Sequence, residues 1–209
     1  VVVGWPVLSA LAMRQVPAAH GAVVSGLLPL ATALAGAWLA HERPHRNFWV
    51  WAVFGSAVVV AFSLWEGGGA PQGADLLLVA AVVAAAVGYA EGTRLARLLG
   101  GWQVICWVLV FSAPFLVLPT WWASDARMLD APLTAWAGFA YVAVISMFLG
   151  FFFWYRGLAL GGIAAVGQTQ LLQPFLTIFA SAWLLHEPVS DMTYLAAGLV
   201  IMAIALGRR

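Results

Sequence analysis

The sequence of 209 residues is 64% apolar and 8% charged, with a formal net charge of +1 and a mean hydropathy of +0.97. About a quarter of an ordinary soluble domain is charged, so no water-soluble core could hide this much apolar surface, and lipid is the expected solvent. The near-neutral balance argues against a nucleic-acid partner, and the lone Cys106 cannot form an internal disulfide.

A bilayer core about 30 Å thick takes ~20 apolar residues per helix. Residues 1–13 are apolar but too short to span. The first span is expected over 18–40, with His20 near its start, then Ser25, Pro29 and Thr32; it closes on "GAWLAHERP" at 36–44. Further spans are expected over 48–65, 74–98 (carrying Tyr89 and Glu91), 102–122, 133–155, 163–185 and 192–207. Trp38, Trp65, Trp102, Trp122, Trp136 and Trp183 lie near these boundaries, at the headgroup level that suits an amphipathic ring. The connections, "HERPHRN", "EGGGAPQGAD" and "ASDARMLDAP", hold most of the charge, and within the 209 residues nothing remains for a soluble domain. The fold class expected is an all-α membrane protein, a multi-pass helical bundle.

Alternating loops sort the charges. On one side fall Arg43, Arg46, Arg94, Arg97, Arg156, Arg208 and Arg209; on the other only Arg14 and Arg127, with most of the acids. Lys and Arg favour the cytoplasmic side, so the C-terminus is expected to be cytoplasmic.

The phrase "SAWLLHEP" at 181–188 repeats the first span's closing phrase. A shift of 145 residues lays 29–42 over 174–187 with eight of fourteen positions identical: Pro, Thr, Ala, Ala, Trp, Leu, His and Glu. Five spans separate the copies, and an odd number reverses orientation. The charges agree, since "HERPHR" keeps its Arg residues while "HEPVSD" has none. The pattern predicts two inverted repeats of five helices, the first incomplete, as in many secondary transporters. Residues 1–65 would be the C-terminal part of the first repeat and 74–207 the second, with about 72 residues of the first repeat preceding Val1.

The small-residue stretches "VPAAHGAVVSGLLPL" (16–30) and "GIAAVGQTQLLQPFL" (162–176), each with a Pro whose thirteenth successor is Glu, resemble the EamA domain of the drug/metabolite transporter superfamily. The resemblance implies ten helices around a central cavity through which small organic solutes pass, often outward, and a bacterial inner-membrane location.

In the doubled His-Glu, Glu42 and Glu187 end one helix and precede the next, where a carboxylate can accept amide donors left free at the next N-terminus. Neither completes a His-Glu-x-x-His metal pattern, so the pair reads as a structural turn. Gln170, Gln173, Thr177 and Ser181 form one polar stripe, joined by Gln168; Ser25, Thr32 and Gly36 occupy the positions equivalent to 170, 177 and 181. Pro29 and Pro174, as helix kinks, each free a carbonyl one turn earlier. The stripe either bonds neighbouring helices or lines a cavity. The substrate-binding residues expected are therefore Gln170, Gln173, Tyr89, Ser25, Thr32, Thr177 and Gln168, on a path lined by the spans 18–40, 74–98, 133–155 and 163–185. Glu91 and His20 could titrate, though Glu91 is also placed to pair with Arg94 at i+3. Tyr141, Phe148, Phe152 and Tyr155 are expected on one helix face. No catalytic residues, metal or cofactor are expected.

The function expected is a permease moving an amino acid, metabolite or drug-like solute by alternating access, its partners being that solute and the bilayer; oligomeric state is not encoded legibly. One alternative is a non-transporting, truncated membrane protein or assembly partner. A weaker one is a membrane-embedded enzyme, which would need acid, base and nucleophile at one depth, whereas the ionisable groups here sit at helix ends.

Overall fold

A computed structural model of the chain describes residues 1–16, 18–66, 72–124, 130–185 and 189–208, with only the backbone described at 18–20, 123, 181 and 185. The described residues form helices and connecting turns, and six of the helical segments are long and apolar enough to cross a membrane. The protein is an all-α, multi-pass membrane protein. Large apolar side chains such as Val50, Phe111, Phe115, Trp121 and Leu160 stay exposed on its helices, as lipid permits and water would not.

Two units make up the chain. One comprises Val1, Val3–Ala90 and Gly161–Arg209; the other comprises Val2 and Glu91–Leu160. The first unit holds α1 (Gly4–Met13), α2 (Ala18–Ser25), α3 (Leu28–Leu39), α4 (Arg46–Trp65) and most of α5 (Asp75–Leu99). What the sequence suggested as one span over 18–40 is thus two helices, α2 and α3. The chain breaks at Gly26, where a Cβ would stand 2.8 Å from the Val59 side chain of α4, and restarts with Pro29 in the first turn of α3, a position where a missing N–H costs nothing.

In the second unit, α6 (Gly101–Ala123) carries Pro114 and Pro119. After α7 (Leu133–Ala140) a π-helical stretch, Tyr141–Leu149, leads into α8 (Gly150–Gly161). The Gly150 N–H bonds the Ile145 carbonyl five residues back, which marks the wider winding. This winding defeats the one-face reading of the aromatics. Tyr141 is exposed, Tyr155 is buried, and Phe148 and Phe152 meet edge to face, at 4.8 Å between ring centres. Gly92 leaves the space that the Tyr155 ring fills.

The chain returns to the first unit through α9 (Ile163–Gly167), a 3-10 stretch Gln168–Leu172, α10 (Gln173–Leu185) and α11 (Asp191–Gly207). Three pairs of helix starts are separated by 145 residues: Ala18 and Ile163, Leu28 and Gln173, Arg46 and Asp191. The last pair, α4 and α11, pack extensively and antiparallel. Asn47 at the start of α4 donates to the Leu206 carbonyl at the end of α11, 2.8 Å away, and takes a hydrogen bond from Trp51 Nε1. Val59, Phe62, Leu171, Phe175, Ala196 and Val200 form the apolar core between α4, the 3-10 stretch, α10 and α11. A second core joins α2, α3, α5 and α9 through Val24, Leu28, Leu78, Val82, Ala85 and Ile163.

Candidate functional site

Two places in the first unit gather polar groups, and α3 connects them. At its C-terminal end, His41 adopts a left-handed φ of 54°, a conformation in which His is commoner than most residues. The turn lets the Glu42 N–H reach back to the Gly36 carbonyl, 3.1 Å away, and aims the Glu42 carboxylate at α9. There Oε1 accepts from the Ile163 N–H at 2.8 Å and Oε2 from the Ala164 N–H at 2.9 Å. A helix N-terminus leaves its first amides without intrahelical partners, and a carboxylate is favoured there by charge as well. The expectation was that Glu42 would meet the helix that follows it in sequence. It meets α9 instead, 121 residues away, because Gly162 (φ +86°) starts α9 beside the turn.

Small residues make this contact close. A Cβ on Gly36 would lie 2.9 Å from Ile163, and one on Gly167 would lie 2.9 Å from Thr32 Cγ2. Thr32 is fully buried in this packing, which is a different place from the solute path proposed from sequence. Gln168 is likewise buried, its Nε2 donating to the Pro29 carbonyl at 3.3 Å, so it bridges α3 and the 3-10 stretch.

Past the N-terminal end of α3 lies a cavity of about 400 Å³, within the range of roughly 300–1,000 Å³ found for small-molecule sites. Its lining comes from α1 (Trp5), the α2–α3 junction (Ala22, Ser25, Gly26, Leu28, Pro29), the last turns of α4 (Val59, Phe62, Ser63, Glu66) and the segment around Pro174 (Gln170, Leu171, Gln173, Pro174, Thr177, Ile178). Of the residues expected to bind substrate, the cavity therefore takes in Ser25, Gln170, Gln173 and Thr177. Tyr89 is not among them; it packs on the core of α2, α3 and α5. The described lining has no residue of 74–98 or 133–155, and it includes α1 and α4, which sequence reasoning left out. The signal that could have found α4 is the polar pair Ser63 and Glu66, one turn apart at its C-terminal end.

Pro29 and Pro174 act differently in the two halves. Pro29 stands in the first turn of α3, past the end of α2 at Ser25, where its missing N–H breaks no helical bond. Pro174 removes the α-helical donor of the Gln170 carbonyl, and the Gln173 N–H closes onto that carbonyl as the chain tightens into the 3-10 form. The Gln170 amide donates to its own Gly167 carbonyl at 3.2 Å, and the Thr177 hydroxyl to the Gln173 carbonyl at 2.9 Å. Glu91 pairs with Arg94 at 2.8 Å in the second unit. Glu187 lies outside the described residues, as does the His20 side chain. Among the described residues, no group of three or more His, Cys, Asp or Glu could hold a metal ion.

This arrangement can hold and orient a small solute. A solved crystal structure shares the fold, with a TM-score of 0.78 over 98% of this chain and 73% of that one, at 20% identity. A Bacillus subtilis (strain 168) protein named "Uncharacterized transporter YdeK" is 45% identical over all 209 residues, which cover 73% of its length. Residues 72–207 match the EamA-like transporter family. With a helical membrane fold, a solute-sized cavity and these matches together, the chain belongs to the EamA-like transporter family and is a membrane transporter.

Proposed function

We propose that this transporter carries a small organic solute outward across the bacterial inner membrane by alternating access, with the cavity beside Pro29 and Pro174 as the solute's resting place and no covalent chemistry. One observation carries the reading. α3 packs closely on α9, whereas α2 and α10, the pair related to them by the 145-residue offset, make no contact of that extent among the described residues and line the cavity instead. Two equivalent contacts, one made and one unmade, are what a carrier needs if its repeats exchange roles. Residues 1–65 and 74–207 are then parts of two inverted repeats. The excess of Arg in the loops at 43–46, 94–97 and 156 and at 208–209 supports a cytoplasmic C-terminus and a cavity that opens outward.

The test is uptake and efflux of an amino-acid and metabolite panel in oriented vesicles carrying the full-length protein. Saturable movement of at least one solute, reduced by Gln170→Ala and Gln173→Ala at equal protein levels, is expected. Cysteine labelling in a Cys106→Ala background should place residue 45 inside and residues 70, 128 and 190 outside. Finding 45 and 190 on one side would overturn the inverted arrangement.

A further inference from the structure

Resting on the cavity and on the exchange of roles between repeats proposed above, we infer that a crevice at the Glu42 end of α3 is the inner half of the solute path. It is shut in this structure, and Thr32 and Arg208 are the polar groups that a solute meets there once it opens. The crevice holds about 10 Å³, too little for more than one water, against about 400 Å³ for the cavity. Its lining includes Phe48 of α4, Ala165 of α9, Gln168, and Ile204, Gly207 and Arg208 at the end of α11.

The 145-residue offset relates the two spaces. Ile204, Gly207 and Arg208 stand 145 residues after Val59, Phe62 and Ser63, which line the cavity from α4. α9, on the crevice, is the counterpart of α2, on the cavity. The crevice also adjoins the closed contact, since Ala165 follows the Ile163 and Ala164 amides that Glu42 holds. Gly207 stands where the cavity has the bulk of Phe62. A Cβ on Gly207 would lie 3.2 Å from Trp51 Cβ, so α11 closes tightly on α4 at this end. Arg208 stands where the cavity has Ser63, and it is exposed. Its guanidinium makes this space electropositive, whereas the described lining of the cavity has no basic residue.

Thr32 supplies an independent sign. Its counterpart, Thr177, is exposed on the cavity. Thr32 itself is fully buried against Gly167, and its Oγ1 has no hydrogen-bond partner among the described residues. Buried polar atoms are nearly always paired, so this hydroxyl is disfavoured where it stands. Parting α3 from α9 returns it to water or solute, in the position that Thr177 holds at the other end. The closed state therefore carries a penalty that the two Glu42 bonds offset, and loss of those bonds should open it.

The experiment places single cysteines in the full-length protein, otherwise free of cysteine, in oriented vesicles. Membrane-impermeant methanethiosulfonates, one bearing a sulfonate and one a trimethylammonium, are applied to each face. Thr177→Cys should react from the outer face, and Thr32→Cys slowly and only from the cytoplasmic face. Adding Glu42→Ala should speed Thr32→Cys at least about tenfold and slow Thr177→Cys. Val200→Cys, in the core between α4 and α11, should stay unreactive, which excludes unfolding; where it reacts, Gly36→Ala replaces Glu42→Ala as the milder opener. In the opened variant the sulfonate should outpace the trimethylammonium at Ala165→Cys, and Arg208→Gln should cut that ratio about fivefold. Thr32→Cys that reacts from the outer face, or stays unreactive in both opened variants while Thr177→Cys reacts, overturns the inner half alone. A ratio that Arg208→Gln leaves unchanged overturns the assignment of Arg208. If Thr177→Cys does not react from the outer face, the cavity reading itself fails, and the inner half with it.

Discussion

The two ends of α3 hold polar groups in different surroundings, one against a packed helix and one beside a cavity. At its C-terminal end the Glu42 carboxylate is fully engaged with the Ile163 and Ala164 amides, and Gly36 and Gly167 let the helices approach closely. At its N-terminal end Ser25, Gln170 and Gln173 face a space of about 400 Å³. Glu42 and Gln168 bond across helices, whereas the Gln170 amide and the Thr177 hydroxyl bond within their own stretch of chain. Substitutions at the first should therefore cost stability, and substitutions at the second should cost transport.

The largest stability loss is expected from Glu42→Ala. It strips the acceptor from two backbone donors at once, and hydrogen bonds to charged groups are worth about 1.5–3 kcal/mol each. Exposure of part of the site to water returns some of this, leaving a loss of about 3 kcal/mol, read as thermal unfolding of the full-length protein in detergent. Glu42→Gln, which keeps one acceptor oxygen, should lose roughly half as much. An Ala variant as stable as wild type would mean that the contact does not hold the end closed.

Gly36→Ala comes next. Ala gains up to about 1 kcal/mol of helix propensity over Gly, but its methyl would stand 2.9 Å from Ile163. Overpacking of this kind costs about 1–3 kcal/mol, so a net loss of about 1 kcal/mol is expected, with the α3–α9 contact pushed open. A double variant with Glu42→Ala should lose less than the sum of the two, because both act on one interface.

Much of this was legible beforehand, in particular places. The all-α membrane character follows from the apolar runs, and the 145-residue offset of the doubled Pro-to-Glu phrase recurs in the starts of α2 and α9, α3 and α10, and α4 and α11. Local rules reach that far because a Pro, a Gly and a hydrophobic run act on their own neighbourhood. They do not reach the partner of Glu42, which is 121 residues away and is fixed by packing. Nor do they show that Tyr89 packs on the core of α2, α3 and α5, or that Trp5 and Glu66 line the cavity. In a soluble helix the apolar stripe points to the core. In lipid both the packed and the outer face are apolar, so periodicity does not say which neighbour a face meets. Thr32 shows the same limit: it shares a helix with Pro29 but is sealed against Gly167.

Gln168→Leu sharpens the boundary between the two ends. The substitution keeps the side chain's bulk and removes one buried hydrogen bond, the 3.3 Å contact to Pro29. A neutral hydrogen bond contributes about 1 kcal/mol. Gln168 belongs to the packed end in this respect, although it lies only two residues from Gln170. The variant should therefore lose about 1 kcal/mol of stability while solute affinity stays within about twofold. A large loss of affinity without loss of stability would move Gln168 to the cavity side.

The smallest stability effect is expected from Gln170→Ala and Gln173→Ala, and it is the most telling. Gln173 is exposed to the cavity, and Gln170 is half-buried with its amide on the carbonyl of its own turn, Gly167. Removing that amide leaves a carbonyl that the cavity can hydrate, so no buried group is stranded and the change should stay within about 0.5 kcal/mol. A solute has no such substitute. An amide that orients it contributes through direction as well as energy, and water in its place offers neither a fixed donor nor a fixed acceptor. Transport or binding should fall by about tenfold for each, the size of one lost hydrogen bond to a desolvated partner. If instead both variants unfold early and keep their affinity, the stripe serves helix packing, and the open end of α3 would differ from the closed end only in how tightly it is packed.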